Sequence, residues 1–452
     1  MHALRSRRTL LTVASIAAVA LSIAGCSSGG RAPGASSSGD SAATGDGGKV
    51  SLTFLTSGNP NTIKASDALV KAFEAANPNI TIKTEPDLTT GGGEDSRIKT
   101  KLATGTMTDI FAYNTGAPLN ALSPEKTLVD IAGDPAVKNV LPTFLSTVSV
   151  DKHVYGVPIG AAMGGGILYN KKVYADLGLK IPLTWDEFMA NNARIKAAGK
   201  TAVIETFGDP WSAQLLILSN FYNVQAAQPT FIADYTANKA HYADDPLARA
   251  GFDHLQAVFK AGYMNSNFAS SKFDDGIKLL ATGAGAQYPM LTFAMATVQA
   301  NYPANVQDIG FFATPGTDAA VNGMTTWMPK AIYISSAVKD PNKLAAAKKF
   351  LAFVASVKGC DLQTEAVGAT GPYLVKGCTL GSNVPPAIAD MLPYIEKGNA
   401  SPALEFLTPL NGPNLDVISV AVGSGITSPQ AGAAQYDGEI KKQALQLGLK
   451  GW

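Results

Sequence analysis

The sequence predicts an α/β fold, and three observations carry that prediction. First, Val50-Ser-Leu-Thr-Phe-Leu-Thr56 reads as a strand and ends at the turn-rich Ser57-Gly-Asn-Pro-Asn61. Second, Ile63 to Ala76 sets Ala65, Leu69, Ala72, Phe73 and Ala76 on one helical face, stopped by Asn77-Pro78, and Ile80-Thr-Ile-Lys-Thr84 supplies the next strand. Strand, helix and strand alternating from the start of the foldable region point to layered sheets and helices. Third, helix-start signals recur far down the chain.

Thr184-Trp-Asp-Glu187 is a capping box, in which Thr184 and Glu187 satisfy the first free amides of a helix. Asp340-Pro341 opens another helix, with Leu344, Ala347, Leu351 and Val354 as its buried stripe. Ser428-Pro429 opens the last, which runs toward Leu447. No internal repeat at a fixed period is present. About 400 residues follow residue 48, enough for two domains with cores of their own.

The N-terminus predicts where the protein works. Arg5, Arg7 and Arg8 precede an uncharged run from Thr9 to Ala24, followed by Gly25 and Cys26. A basic start, a short apolar stretch and small residues make residues 1–25 an export signal rather than a spanning helix. Leu21-Ser-Ile-Ala-Gly-Cys26 resembles the lipobox of bacterial lipoproteins, which implies acylation at Cys26; Ser6-Arg7-Arg8-Thr9-Leu10-Leu11 resembles a twin-arginine signal. After Cys26, residues 27–48 are mostly Gly, Ser and Ala with no large apolar side chain, so 26–48 has the composition of a flexible linker with a span of roughly 25 Å. A body tethered to the outer face of the cell membrane by two or more acyl chains is expected.

Formal charge is +1 for the chain, and removing Arg5, Arg7 and Arg8 with the signal leaves 33 basic against 35 acidic residues, or −2. A near-neutral body without a Lys/Arg cluster argues against a nucleic-acid partner. No other apolar run is long enough to span a membrane. Cys360 and Cys378 remain after Cys26; they are too few for a disulfide scaffold but sufficient for one bridge, around the chain reversal at Gly371-Pro372.

Five blocks in order resemble the extracellular solute-binding proteins of ABC importers. They are Lys101 to Ile110; Tyr155-Gly-Val-Pro158 through Leu168-Tyr-Asn-Lys171, Leu177-Gly-Leu179 and Thr184 to Phe188; Ile309 to Gly316; Lys339 to Phe350; and Gly425 to Gln430. The subgroup resembled binds sugars and oligosaccharides. Two departures stand out: Thr108 replaces the proline usual before Asp109, and Gly160-Ala-Ala-Met-Gly-Gly-Gly166 has no charged side chain where relatives often place a ligand contact.

The resemblance implies a two-lobe periplasmic-binding-protein-like fold of type II, with an interlobe cleft and hinge crossovers. Lobe one would take 49–159 and 330–380, lobe two 160–329 and 381–452. Gly160 and Gly164 to Gly166 fall at the first crossover, where they either absorb backbone rotation or let two backbones approach closely. It also implies a sugar or oligosaccharide ligand, ABC permease subunits as membrane partners, a monomer, and no cofactor, metal or catalytic residue. Sugars present CH faces and hydroxyls, held by flat aromatic rings and planar polar side chains. Aromatics on loops are therefore the candidates: Trp211 in Phe207-Gly-Asp-Pro-Trp-Ser212, Tyr113 with Asn114, Phe293, and Trp327 near a crossover. Asp209 is a candidate hydroxyl acceptor. Asn59 and Asn61 follow the first strand at the usual mouth of an α/β sheet, where a plain turn role competes. Asp109 reads as structural, and Trp185 and Phe188 as core.

Enzymatic readings find little support. The chain has no phosphate-binding loop, nucleophile elbow or zinc-binding helix signature. His153, His241 and His254 are scattered, and the pairs Asp186-Glu187, Asp244-Asp245 and Asp274-Asp275 read as caps and solvated faces. A secreted glycoside hydrolase would need two carboxylates opposed across the cleft at about 5–9 Å. A receptor for a non-sugar solute, a peptide or a polyol, is the other alternative.

Overall fold

The computed structural model describes residues 48–88 and 93–452. The expected export signal, Cys26 and the linker up to residue 47 lie outside the described residues.

The first sheet has five strands in the order Ile80–Asp87, Val50–Ser57, Ile110–Tyr113, Lys330–Ile334, Gly156–Ile159. The first three are parallel; Lys330–Ile334 runs antiparallel to both its neighbours. Leu52 and Phe54 are buried completely and pack under the helix Pro60–Ala76, which buries Ala65, Leu69, Val70 and Phe73. Val70 takes the place on the buried stripe expected for Ala76, which is exposed. The turn before this helix is shorter than the Gly-Asn-Pro sequence suggests. Asn59 is the N-cap, its side chain accepting from the amides of Asn61 and Thr62, so Asn61 already lies in the first turn.

The second sheet has the order Ala400–Pro402, Met324–Trp327, Met163–Asn170, Gly285–Leu291, Thr201–Val203, with Ile309–Phe312 also paired to Met163–Asn170. Both faces are covered. Ile167, Val203 and Phe312 belong to a cluster under the helices Trp185–Ala197, Pro246–Lys260 and Pro429–Gln446. Their chain neighbours Leu168, Ile204 and Phe311 belong to the cluster on the other face, as the two-residue period of a strand requires.

The first core draws on residues between Leu52 and Ala162 and between Met328 and Cys378. The chain therefore passes between cores from Ala162 to Met163, from Trp327 to Met328, and between Cys378 and Leu380. Gly160 has φ +98°, a conformation that glycine tolerates and other residues rarely adopt. Gly164 to Gly166 are strand residues at close contacts. A side chain on Gly165 would start 2.2 Å from the Trp327 ring, and one on Gly166 would start 2.5 Å from the Phe312 carbonyl oxygen. Close approach, not rotation, accounts for those three.

Cys360 and Cys378 are bonded, with Cα atoms 6.2 Å apart. Between them the chain reverses at Gly371-Pro372, and the Pro372 carbonyl accepts from the Ala162 amide at 2.8 Å. The capping box at Thr184 and Glu187 is present, as are the caps at Asp340 and Ser428. Asp109 is structural, though through distant partners: it accepts from the Thr53 amide and pairs with Lys343.

Candidate functional site

Two strands of the second sheet end at the same place. Thr201–Val203 leads into the loop that carries Trp211, and Gly285–Leu291 leads into Thr292-Phe293. Leu291 pairs with Gly165, so this is the end of the sheet from which the chain crosses to the first core. Strand ends at such a crossing are where open α/β folds gather ligand contacts.

Three rings meet there. Trp211 lies 5.7 Å from Phe273 and 6.0 Å from Phe293, and Phe273 and Phe293 are stacked at 5.6 Å. Trp211 and Phe293 keep part of their surface exposed, whereas Phe273 is buried. The loop is fixed from below. Asp209 accepts from the Phe273 amide at 2.8 Å, and Ser212 bonds to Thr206, whose hydroxyl also meets Tyr288 at 2.7 Å.

Of the candidates named from sequence, Trp211 and Phe293 come together, with Asp209 tied to the same group through Phe273. The side chains of Asn59, Asn61, Tyr113 and Trp327 are occupied elsewhere. Asn59 is a helix cap, and Asn61 donates to Thr297 of the other core at 3.0 Å. Tyr113 is the last residue of its strand and fully buried, a correction to the expectation of a loop aromatic; its hydroxyl donates to Asp95 at 2.9 Å. Asn114 is partly buried, its carbonyl accepting from Tyr333. Trp327 is buried over Gly165 rather than standing free at the crossover.

Sequence reading missed three residues. Phe273 opens the helix Phe273–Thr282, directly before the acidic pair Asp274-Asp275. Glu205 is 1 % exposed, and its Oε1 has no hydrogen-bond partner; burial raises its pKa far above the usual carboxylate range. The available signal was a lone acid in the apolar run Ala-Val-Ile-Glu-Thr-Phe, three residues before the Trp211 loop turns at Gly208. Glu405 is pushed up to about 7 by burial, against a hydrogen bond from Trp327 and with the Asp95 carboxylate adding to the rise. Its backbone and the Phe406 ring pack on Gly116, and Phe406 packs against both cores. Among the described residues no three His, Cys, Asp or Glu are grouped to hold a metal ion, and no helix is long and apolar enough to cross a membrane.

Residues 59–359 match the sequence profile of the bacterial extracellular solute-binding proteins. The chain belongs to that family. This extracellular solute-binding protein is 24 % identical over 335 residues to a multiple sugar-binding protein of Streptococcus mutans, covering 73 % of this chain and 76 % of the relative. It is 23 % identical to a diacetylchitobiose binding protein of Streptomyces coelicolor, covering 97 % of this chain and 99 % of the relative. Among solved structures, its fold is similar to a chitin oligosaccharide binding protein, with TM-score 0.74, 22 % identity, and 88 % and 99 % of the two chains covered. A receptor solved in complex with raffinose gives TM-score 0.72 at 21 % identity, over 87 % and 100 %. The two-lobe α/β expectation agrees with these folds.

Proposed function

We propose that this solute-binding protein captures a sugar or oligosaccharide between its lobes and delivers it to the permease of an ABC importer, without catalysis. The observation that carries the reading is the Trp211, Phe273 and Phe293 group, partly exposed at the end of the second sheet that faces the first core. Flat rings with an unexposed backing suit the CH face of a pyranose. Asp209 is tied to them through the Phe273 amide, and the buried acid Glu205 precedes the same loop in sequence. The relatives named for sugars support the ligand class. In this proposal lobe one comprises 49–159 and 330–380, and lobe two 160–329 and 381–452. The body acts as a monomer, and the export signal and Cys26 hold it on the outer face of the membrane.

A thermal-shift screen of the mature body against mono- and oligosaccharides tests the reading. A ligand at a hundredfold its dissociation constant stabilises the folded state by about 2.7 kcal/mol. Saturable stabilisation with the glycan recovered unchanged by mass spectrometry is expected. Turnover of the glycan, or stabilisation by peptides alone, would overturn it.

A further inference from the structure

Hydrogen bonds mark out where the first crossing between the cores can turn. Before Met163 the chain is tied to the first core: the Gly160 amide donates to Oε1 of buried Gln363 at 2.7 Å, and the Ala162 amide donates to the Pro372 carbonyl at 2.8 Å. After Met163 it is tied to the second sheet. The Gly164 amide donates to the Thr292 hydroxyl at 3.0 Å, and the Thr292 amide donates back to the Gly164 carbonyl at 3.0 Å. Met163 lies between the two sets of bonds, and it pairs with Trp327, where the second crossing begins.

Thr292 is the residue that spans this point. It is fully buried, and its hydroxyl, while accepting from Gly164, donates to the Thr370 carbonyl of the first core at 2.8 Å. Phe293 follows it directly and caps the helix Ala294–Asn301. That helix is also held from both sides. Ala294, Met295 and Val298 belong to the cluster beside the second sheet. Thr297 accepts from Asn61 at 3.0 Å, and the Gln299 amide fills the space where a side chain on Gly368 would start.

We propose that Thr292 is a positioning residue that couples the relative placement of the lobes to the Phe293 ring. One hydroxyl has one proton to give, and here it goes to Thr370. When the lobes rotate apart, the reciprocal bonds keep Thr292 with Gly164, so the bond to Thr370 is the one that breaks. Phe293 then loses the tie that its backbone neighbour makes to the first core, and its ring shifts on Phe273, on which it is stacked at 5.6 Å. The aromatic group is therefore set for a ligand only when the lobes are together. This rests on the reading of Phe293 as a ligand ring, and the test uses no ligand, so the coupling stands or falls apart from that reading.

The test compares Thr292→Val, which keeps the shape and removes the hydroxyl, with Thr292→Ser, which keeps the hydroxyl. Fluorine NMR of the ligand-free body carrying 4-fluorophenylalanine reads the ring, the Phe293 line being assigned by its loss in Phe293→Leu. Small-angle scattering reads the lobes. In Thr292→Val the line should move by more than its width and the radius of gyration should rise; Thr292→Ser should match the wild type in both. Asn61→Ala frees the same helix from the first core and leaves Thr292 in place. It should move the line in the same direction, and it decides the matter if Thr292→Val does not fold. A Phe293 line that stays put in Thr292→Val, or in Asn61→Ala should the valine variant not fold, overturns the coupling. Equal shifts in the valine and serine variants overturn it as well, because the hydroxyl would then be irrelevant.

Discussion

The side-chain amide of Asn61 donates to the hydroxyl of Thr297 at 3.0 Å, joining helices Pro60–Ala76 and Ala294–Asn301, which pack on different cores. Thr297 follows Phe293 by one helical turn, so the bond fastens the first core next to the aromatic group. A second tie lies beside it, where Thr292 donates to the Thr370 carbonyl at 2.8 Å. Such bonds act on closure more than on folding, because opening a hinge breaks them while each core stays intact.

Asn61→Ala is therefore expected to weaken cleft-ligand affinity by about two- to tenfold, the worth of one hydrogen bond. Urea stability should hold, since the Asn59 cap accepts from the backbone amide of residue 61 and survives the change. Small-angle scattering of the free variant should show a larger radius of gyration. Unchanged affinity together with unchanged scattering would show that the bond does not hold the lobes.

The Cys360–Cys378 bond closes a loop with a sequence separation of 18. In the chain-entropy account such a closure stabilises by about 3 kcal/mol. The double Cys→Ser variant should lose about that much in urea unfolding, and the wild type should lose as much under reductant. Ligand affinity should change little, because the two cysteines pack in the first core and the three rings pack in the cluster of the second sheet. Equal stability with and without reductant would remove the bridge from the energetics.

What the sequence disclosed was local, and what it hid was distant. Thr184, Asp340 and Ser428 are caps whose partners lie within three residues, so their helices could be read directly. Trp211 was legible because glycine and proline mark its loop. The partner of Asn61 is 236 residues away, and nothing near Asn61 announces it. Trp327 looked free because the pattern cannot show that Gly165, on a neighbouring strand, makes room for its ring. Phe273 carried the signature of a helix start, and its place under Trp211 arises only when two strands end together. Burial of Glu205 and Glu405 is likewise a property of the assembled layers.

His254 gives the fold an acid-sensitive point. Burial pushes its pKa down from 6.5 to about 3, with Trp185 stacked on the ring. Below about pH 6.5 the unfolded chain takes up this proton and the folded one does not. Stability should therefore fall as pH drops, by up to about 1.4 kcal/mol per pH unit until about pH 3. Glu405 acts oppositely: raised from 4.5 to about 7, it contributes stability below 4.5 that is lost as pH rises through about 7. Comparing wild type with His254→Phe in urea titrations at pH 7 and pH 4.5 isolates the histidine. The variant should show a shallower acid loss; parallel curves would mean that His254 does not stay neutral.

Trp211 separates a binding role from a packing role. Its ring packs near Phe273 and Phe293 and keeps part of its surface exposed. Truncation therefore removes a modest share of packing in the free protein and a larger contact area in the closed, ligand-bound form. Trp211→Ala should cost about 2–4 kcal/mol of glycan affinity, the range for aromatic hot spots. Its loss of folding stability should stay below the roughly 3–5 kcal/mol typical of a core tryptophan. Trp327→Ala is the internal comparison. That ring is 7 % exposed and fills the space over Gly165, so its stability loss should exceed that of Trp211→Ala. Affinity and urea stability measured on both variants decide the matter. If Trp211→Ala loses stability like a core residue and binds the glycan as the wild type does, the aromatic group is packing and the ligand contacts lie elsewhere in the cleft.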